Sequence, residues 1–550
     1  MGFFQKLLPL ILIILSFPLH IFAQDSVKYH AQIIGTYGNQ GFPPHWITSN
    51  RYGIFDDTQN ELLLRLGVSY EKNFGKKWKV ETGLDGVIKN NIDQSFLYQV
   101  YANLSYGKIK LIAGLQEFLV GQYADDISTG AFGISNNARP IPRIGIGFYK
   151  YTDVPFTKGY LQFKGALNHG WMDEGRFNHS RIDKPLLHEK YLYVRTQKFP
   201  VNFHFGFIHQ AMYGGVDSQG NKVPIDFKSV FTASSSSATG ISSDATNAVG
   251  EHWGVFEYGF SFDIKDFNLL FYQQKPITDK SGLKENFGFV RDNFIGIWVK
   301  TKRKRLFSEF LLEFNNTDHQ GGIGTPDVIV DGRLLFPTEN EEHRAFLENY
   351  YTDLGYDVTG FSGMQWIAFT SALENFGYPY GGRVDYYNNT LYRHMYKGRV
   401  LGNALINTQD RISQLAGQEV SSVSFMANNR VWSRNLGLKG WFSDRFSYRL
   451  NLTWTENKGD WTQFGGRFWW NGIITDPDYQ WYFRDVKKQW YSLFETNIQI
   501  QKVHGLSLQI AVAYDFGDMY YNMGGMLGIK YDGALKVGRK FKNRNKQRIH

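Results

Sequence analysis

The stretch SLQIAVAYDF (507–516) sets Leu508, Ile510, Val512, Tyr514 and Phe516 on one side of an extended chain and Ser507, Gln509, Ala511, Ala513 and Asp515 on the other. Successive strand side chains point to opposite faces, so the ribbon has one apolar face and one wet face. RFSYRLNLTW (445–454) repeats the pattern, with Phe446, Tyr448, Leu450, Leu452 and Trp454 opposite Arg445, Ser447, Arg449, Asn451 and Thr453. ELLLRLGVSYE (61–71), VNFHFGF (201–207) and FEYGFSFDI (256–264) do the same. Alternation alone also fits a β-sandwich. Length separates the two, because runs of about nine to eleven residues match a tilted bilayer crossing, whereas ordinary strands average about five or six.

Composition supports the membrane reading. Aromatics make up 17% of the chain, with 57 Gly, 15 Pro and no Cys, yet mean hydropathy is −0.36. An aromatic-rich chain that is polar on average and lacks long aliphatic runs fits a barrel whose residues alternate between lipid and lumen. The expected fold is therefore all-β: a transmembrane antiparallel β-barrel of about 18 strands (range about 16–20), at roughly 29 residues per strand and connection, plugged by loops and short helices. Residues 1–23 read as a signal peptide, in which Lys6 precedes LLPLILIILSFPLHIFA and Ala23 marks the cleavage site. Residues 24–60 are expected to form a periplasmic plug or the first strand, 61–535 the barrel with its long loops, and 536–550 a basic tail. That tail holds seven Lys and Arg against a formal net charge of +9, so the rest of the chain is nearly neutral. It reads as a solvated end, and no nucleic-acid partner is expected.

Short periplasmic turns are expected at Asn73-Phe74-Gly75-Lys76 and Trp441-Phe442-Ser443-Asp444, and longer inserts at about 214–251, 315–362, 404–428 and 456–488. The small-residue run TASSSSATGISSDATNA is expected to stay mobile or to fold inside the lumen. TENEEHRAFLENYYTDLGY has helix-forming composition, with Thr338 as cap and Glu341 three residues on.

The segments ARPIPRIGIGFYKYTDVPFTKGYLQFKGALNHGWM (138–172), LLHEKYLYVR (186–195), FPVNFHFGFIHQAMYGG (199–215), GGRVDYYNNTLYRHMYKGRVLGN (381–403) and ANNRVWSRNLGLKGWFSDRFSYRLNLTW (427–454) resemble the Bacteroidetes branch of the Wzi-type capsule assembly proteins. The resemblance implies a plugged 18-stranded outer-membrane barrel that acts as a lectin and attaches capsular polysaccharide to the cell surface. Two departures stand out. Better-understood relatives carry an N-terminal helical bundle, whereas residues 25–60 hold turns and aromatics such as GFPPHWITSN, and the chain ends in a basic tail instead of an aromatic residue.

Sugar recognition needs aromatic faces for the C–H side of a pyranose, plus amides, carboxylates and guanidinium groups for its hydroxyls and acids. RVDYYNNTLYRHMYKGR supplies Arg383, Asp385, Tyr386, Tyr387, Asn388, Arg393 and Arg399, and the 456–488 insert supplies Trp461, Trp469, Trp470 and Trp481. Each group has a structural alternative: a buried lumen network for the first, an aromatic belt or lid for the second. His169 with Trp171 and His188 with Glu189 lack the i, i+4 pairing of a helical metal site, so no metal or other cofactor is expected. No nucleophile elbow is present, so catalysis is not expected either. The expected partners are capsular or surface polysaccharide and outer-membrane lipid or lipopolysaccharide, bound by a monomer. The alternative is a porin-like passive channel for small polar solutes. A soluble exported sandwich is a third reading.

Overall fold

The computed structural model describes residues 25–124, 126–172, 182–241, 243–245, 248–277, 292–318, 320, 328–330, 333–335, 337, 340–362, 365–366, 369, 386–389, 391–420, 425–460, 467–468, 473–474 and 482–537. Eighteen strands make one closed antiparallel barrel. In chain order they are β1 (Asp25–Gly38), β2 (Glu61–Phe74), β3 (Trp78–Lys89), β4 (Phe96–Tyr106), β5 (Ile109–Leu115), β6 (Arg143–Asp153), β7 (Leu161–Trp171), β8 (Leu186–Thr196) and β9 (Asn202–Tyr213). The second half comprises β10 (Glu251–Ile264), β11 (Phe267–Ile277), β12 (Asn293–Thr301), β13 (Glu309–Asn316), β14 (Val431–Ser443), β15 (Phe446–Asn457), β16 (Lys487–Gln499), β17 (Leu506–Gly517) and β18 (Asn522–Val537). Each strand pairs with its sequence neighbours, and β18 closes on β1 from Asp25↔Val537 to Gly38↔Gly524. Closure leaves no strand edge unpaired, as hydrocarbon demands.

The two rims differ. At the end where β1 starts and β18 finishes, the connections are residues 75–77, 107–108, 154–160, 197–201, 265–266, 302–308, 444–445 and 500–505. At the other end they include 39–60, 116–142, 214–250, 458–486 and, longest of all, 317–430. Short periplasmic turns and long external loops are the rule for bacterial outer-membrane barrels, which orients the molecule.

On β17, Ile510, Val512 and Tyr514 are 38%, 54% and 43% exposed, while Ala511, Ala513 and Asp515 are 3%, 5% and 0% exposed. The apolar face thus points out of the barrel and the small polar face points in. Ile33, Leu62, Leu66, Phe203, Phe205, Leu527 and Ile529 continue the outward apolar surface. In water, each such side chain would forgo about 1.5–3 kcal/mol of burial. Trp78 and Tyr106 (ring centroids 4.7 Å apart) and Tyr160 and Phe199 (5.2 Å) mark the periplasmic rim, and Trp490 and Phe516 (6.1 Å) the outer one. A closed barrel with an apolar belt between aromatic girdles belongs in a bacterial outer membrane. No helix among the described residues is long and apolar enough to cross a membrane; the strands make the crossing.

Several local expectations change. Asp25–Gly38 is a full barrel strand, residues 39–60 turn into the lumen from the external side, and β18 runs on to Val537. The inserts at 315–362 and 404–428 belong to one connection, 317–430. The first turn occupies 75–77, with Gly75 at φ +59 supplying the left-handed position. A register shift between Trp441 and Ser443 carries β14 further, so its turn is 444–445. The helix Glu341–Asp353 is capped by Asn340, whose side chain accepts from the N–H groups of Glu342 (2.9 Å) and His343 (3.1 Å), while Thr338 lies outside the described residues.

The small-residue run does not fill the lumen: where it is described it forms short 3-10 turns at Ser237–Thr239 and Ser243–Ala245. The 214–250 connection folds down on the outer wall, burying Val230 and Val249 against Ala211 and Tyr213. The outward face of β9 runs Phe203, Phe205, Phe207, His209, Ala211 and Tyr213, and this flap covers its upper end. Beneath the flap His209 and His252 are hydrogen-bonded at 2.9 Å, and His188 meets the rings of Phe227 and Phe231. Among the described residues, no group of three or more His, Cys, Asp or Glu is placed to hold a metal.

Candidate functional site

The lumen is occupied in its outer half. Lumen-facing positions along β1 record the boundary: Lys28 is exposed, His30 half-buried, and Gln32, Ile34 and Thr36 buried. Three connections supply the filling: 39–60, 116–142 and the described part of 386–430. Asn50 Nδ2 donates to Ser128 O (2.9 Å), Asn403 Nδ2 to Gly130 O (2.9 Å), Ser135 Oγ to Gly402 O (2.6 Å) and Asn137 Nδ2 to Val400 O (3.0 Å). The three segments are therefore tied to one another by side-chain bonds to backbone carbonyls, which would otherwise be buried without partners.

The barrel wall holds this plug in turn. Trp46 Nε1 donates to Thr453 Oγ1 (3.1 Å) and His45 N to Asp515 Oδ2 (2.7 Å). Burial, with Arg411 and Arg399 nearby, pushes His45 down to about 3, so it is neutral at physiological pH. Glu313 accepts from Ser128 Oγ (2.6 Å), Tyr272 Oη (2.5 Å), Thr129 N (2.9 Å) and Asn435 Nδ2 (3.1 Å). Lys89 and Glu61 form a buried ion pair at 2.7 Å.

The predicted sugar-binding residues divide sharply. Arg383, Asp385, Trp461, Trp469, Trp470 and Trp481 lie outside the described residues. Tyr386 is buried, with Oη donating to Asp292 Oδ2 (2.9 Å). Tyr387 stacks on Phe132 at 5.0 Å and donates to the Phe132 carbonyl. Asn388 Oδ1 accepts from Met426 N (3.1 Å) and from Arg393 Nη1 (3.2 Å). Arg399 pairs with Asp57 at 3.1 Å and donates to Phe55 O; burial lowers its pKa and Asp57 opposes that. Tyr386, Tyr387, Asn388 and Arg399 are plug struts. Arg393, half-buried and 5.2 Å from the Phe425 ring, sits nearer the surface.

Below the plug three cavities open toward the periplasm. One of about 430 Å³ is lined by Lys28, His30, Asp85, Gln99 and Tyr101 among others. A second, of about 280 Å³, is lined by Arg51, Asp126, Lys439, Arg449 and Glu495. The third, of about 250 Å³, lies between the plug base at 116–120 and the wall carrying Tyr149, Lys164 and Tyr191. In the first two, acids and bases pair: His30 with Asp85 (3.4 Å), Lys439 with Asp126 (3.0 Å) and Arg449 with Glu495 (2.5 Å).

Of the two cations lining the third cavity, Lys110 pairs with Glu81 (2.6 Å), whereas Lys164, with Arg195 just beyond the lining, sits on aromatic rings. Lys164 Nζ is 4.3 Å from the Tyr193 ring centroid and 5.2 Å from that of Tyr151, and Arg195 Cζ is 3.8 Å from Tyr151. Sequence reading passed over these residues. The available signal was YLYVR, which places Tyr191, Tyr193 and Arg195 on one face and makes the wet face the aromatic one.

No family model and no curated protein matches the chain. Among solved structures the fold is similar to Wzi, titled an outer membrane protein involved in group 1 capsule assembly in Escherichia coli and a carbohydrate binding beta-barrel. The TM-score is 0.50 at 10% identity, covering 91% of this chain and 83% of that one. OccK5 (OpdH) and OprD of Pseudomonas aeruginosa align at TM-scores of 0.44 and 0.44, with 7% and 8% identity, 94% of this chain covered in each case, and 99% and 97% of theirs. At this identity the likeness to Wzi is one of fold.

Proposed function

We propose that this protein is a saccharide-binding outer-membrane barrel, a member of the Wzi-type capsule assembly family, which retains capsular or surface polysaccharide at the cell surface without breaking bonds. The observation that carries this reading is the cross-tied plug: three chain segments, bonded to one another and to the wall, occupy the half of the lumen a solute would enter first. A binding protein gains rigidity from such a filling, whereas a passive channel would lose its path. The solved barrel of like fold is titled carbohydrate binding, which agrees with this choice. In this reading Arg393, with Trp461, Trp469, Trp470 and Trp481, engages the polymer, the monomer's outer wall meets lipid or lipopolysaccharide, and no nucleic acid or cofactor takes part.

Two measurements test it. In a planar bilayer the purified barrel is expected to be silent; stepwise conductance for small ions would favour the porin-like alternative. Deleting the gene is expected to release polysaccharide from the cells into the medium, and a firmly attached capsule after deletion would overturn the assignment.

A further inference from the structure

The third cavity differs from its neighbours in a way that barrel stability does not require. Among the described residues, Lys164 and Arg195 have no carboxylate within ion-pair distance. The acid that lines the cavity, Glu117, is engaged elsewhere, pairing with Arg65 (3.5 Å) and accepting from Tyr98 Oη (2.7 Å), and Glu257 is fully buried and accepts from Gln122 N (3.1 Å) and Gln274 Nε2 (2.7 Å). Both cations are half-buried and lie close to the Tyr151 ring, and register places them diagonally across the β7–β8 pair, Lys164 opposite Tyr193 and Arg195 opposite Gln162. Two like charges held together in a partly buried vestibule repel each other, and an anion between them would relieve that repulsion.

The surrounding groups narrow what the anion is. Phe118, Tyr149 and Tyr191 form an aromatic wall, with ring centroids 5.9 Å (Phe118 to Tyr149) and 6.4 Å (Phe118 to Tyr191) apart. Flat apolar faces suit the C–H side of a ring and give nothing to a bare phosphate or chloride. Tyr151 Oη accepts from Gln122 Nε2 (2.6 Å), which leaves its own O–H to donate. The cavity, at about 250 Å³, falls below the roughly 300–1,000 Å³ of pockets for drug-sized ligands, so the occupant is small.

We propose that Lys164, Arg195 and the aromatic residues Phe118, Tyr149, Tyr151 and Tyr191 form a periplasm-facing site for one acidic pyranose, a uronic-acid unit of a polysaccharide. The ring lies on the tyrosines and its carboxylate meets the two cations. This deepens the proposed function, on which it rests, by adding a substrate class and a second place of contact, on the side from which a newly exported chain arrives.

The test is calorimetric titration of the full-length, detergent-purified barrel with three probes: a galacturonic acid disaccharide, the neutral galactose disaccharide, and acetate. The acidic disaccharide is expected to bind at least about tenfold more tightly than either control, and more weakly as salt rises. Lys164→Gln with Arg195→Gln is expected to erase that margin while heat-modifiable gel mobility is kept. Should the double variant lose that mobility, Lys164→Gln alone is expected to reduce the margin several-fold. A margin unchanged in a folded variant overturns the site. Acetate competing as well as the acidic disaccharide overturns the saccharide assignment. Equal binding of acidic and neutral disaccharides overturns this inference yet leaves polysaccharide binding standing, whereas a conducting barrel that binds no glycan takes down the broader function.

Discussion

Two walls of the same vestibule treat their cations differently. On β2–β5 and β14–β16 the bases meet acids: Arg65 with Asp85 (2.6 Å), Lys79 with Glu71 (3.0 Å) and Glu81 (2.9 Å), Lys110 with Glu81 (2.6 Å), and Lys439 with Asp126 and Glu309. On β6–β8 Lys164 and Arg195 meet aromatic faces instead. The first arrangement neutralises charge in place and fixes the wall. The second leaves positive charge available to something that arrives. A lumen cation therefore says little about function until its partner is known.

The contrast breaks most visibly where pairing is deepest. Glu61 and Lys89 have side chains 1% and 2% exposed. Glu61→Gln strands the lysine and is expected to cost about 3–5 kcal/mol, read as a lower temperature for loss of the folded gel band. Next comes the aromatic wall. A Cβ on Gly206 would lie 2.2 Å from Tyr193 Cε1, so Gly206→Ala must displace the ring that carries Lys164. The expected cost is about 1–3 kcal/mol, together with weaker binding of the acidic disaccharide. Lys439→Gln touches a pair that is 30% exposed on the lysine side and is expected to change stability by about 0–1 kcal/mol, with saccharide binding unaltered.

Much of the barrel was legible because period-2 alternation is a local signal that lipid enforces at every strand. β15 shows it: Asn451, Thr453 and Thr455 are buried in the lumen, while Leu450, Leu452 and Trp454 face outward. The plug was legible only as residue types. Tyr386, Tyr387 and Arg399 have the composition of a glycan site, but their partners, Asp292, Phe132 and Asp57, lie about 94, 255 and 342 positions away along the chain, and no local pattern reports such pairings. The GFPPHWITSN stretch looked like turns because its backbone is shaped by the lumen it enters rather than by its own periodicity. The outer flap was misassigned for a related reason: small residues can line a lumen or lie flat on a wall, and the neighbours decide which.

The finest test converts one wall into the other by a single atom exchange. Arg195 Nε donates to Gln162 Oε1 at 2.9 Å, so Gln162→Glu supplies an ionic partner in a position the guanidinium already occupies. The gain is offset, because Gln162 Nε2 also donates to Asp153 Oδ1 at 2.6 Å, a contact that becomes a like-charge one. Both sites are partly solvated, so the two effects are expected to cancel to within about 0.5 kcal/mol of stability. Binding has no such cancellation: an arginine already paired has less to offer an arriving carboxylate, and affinity for the acidic disaccharide is expected to fall several-fold while the neutral disaccharide is unaffected. A variant of unchanged stability that still binds the acidic sugar as tightly would mean that pairing, the single difference drawn between the walls, is not what separates them.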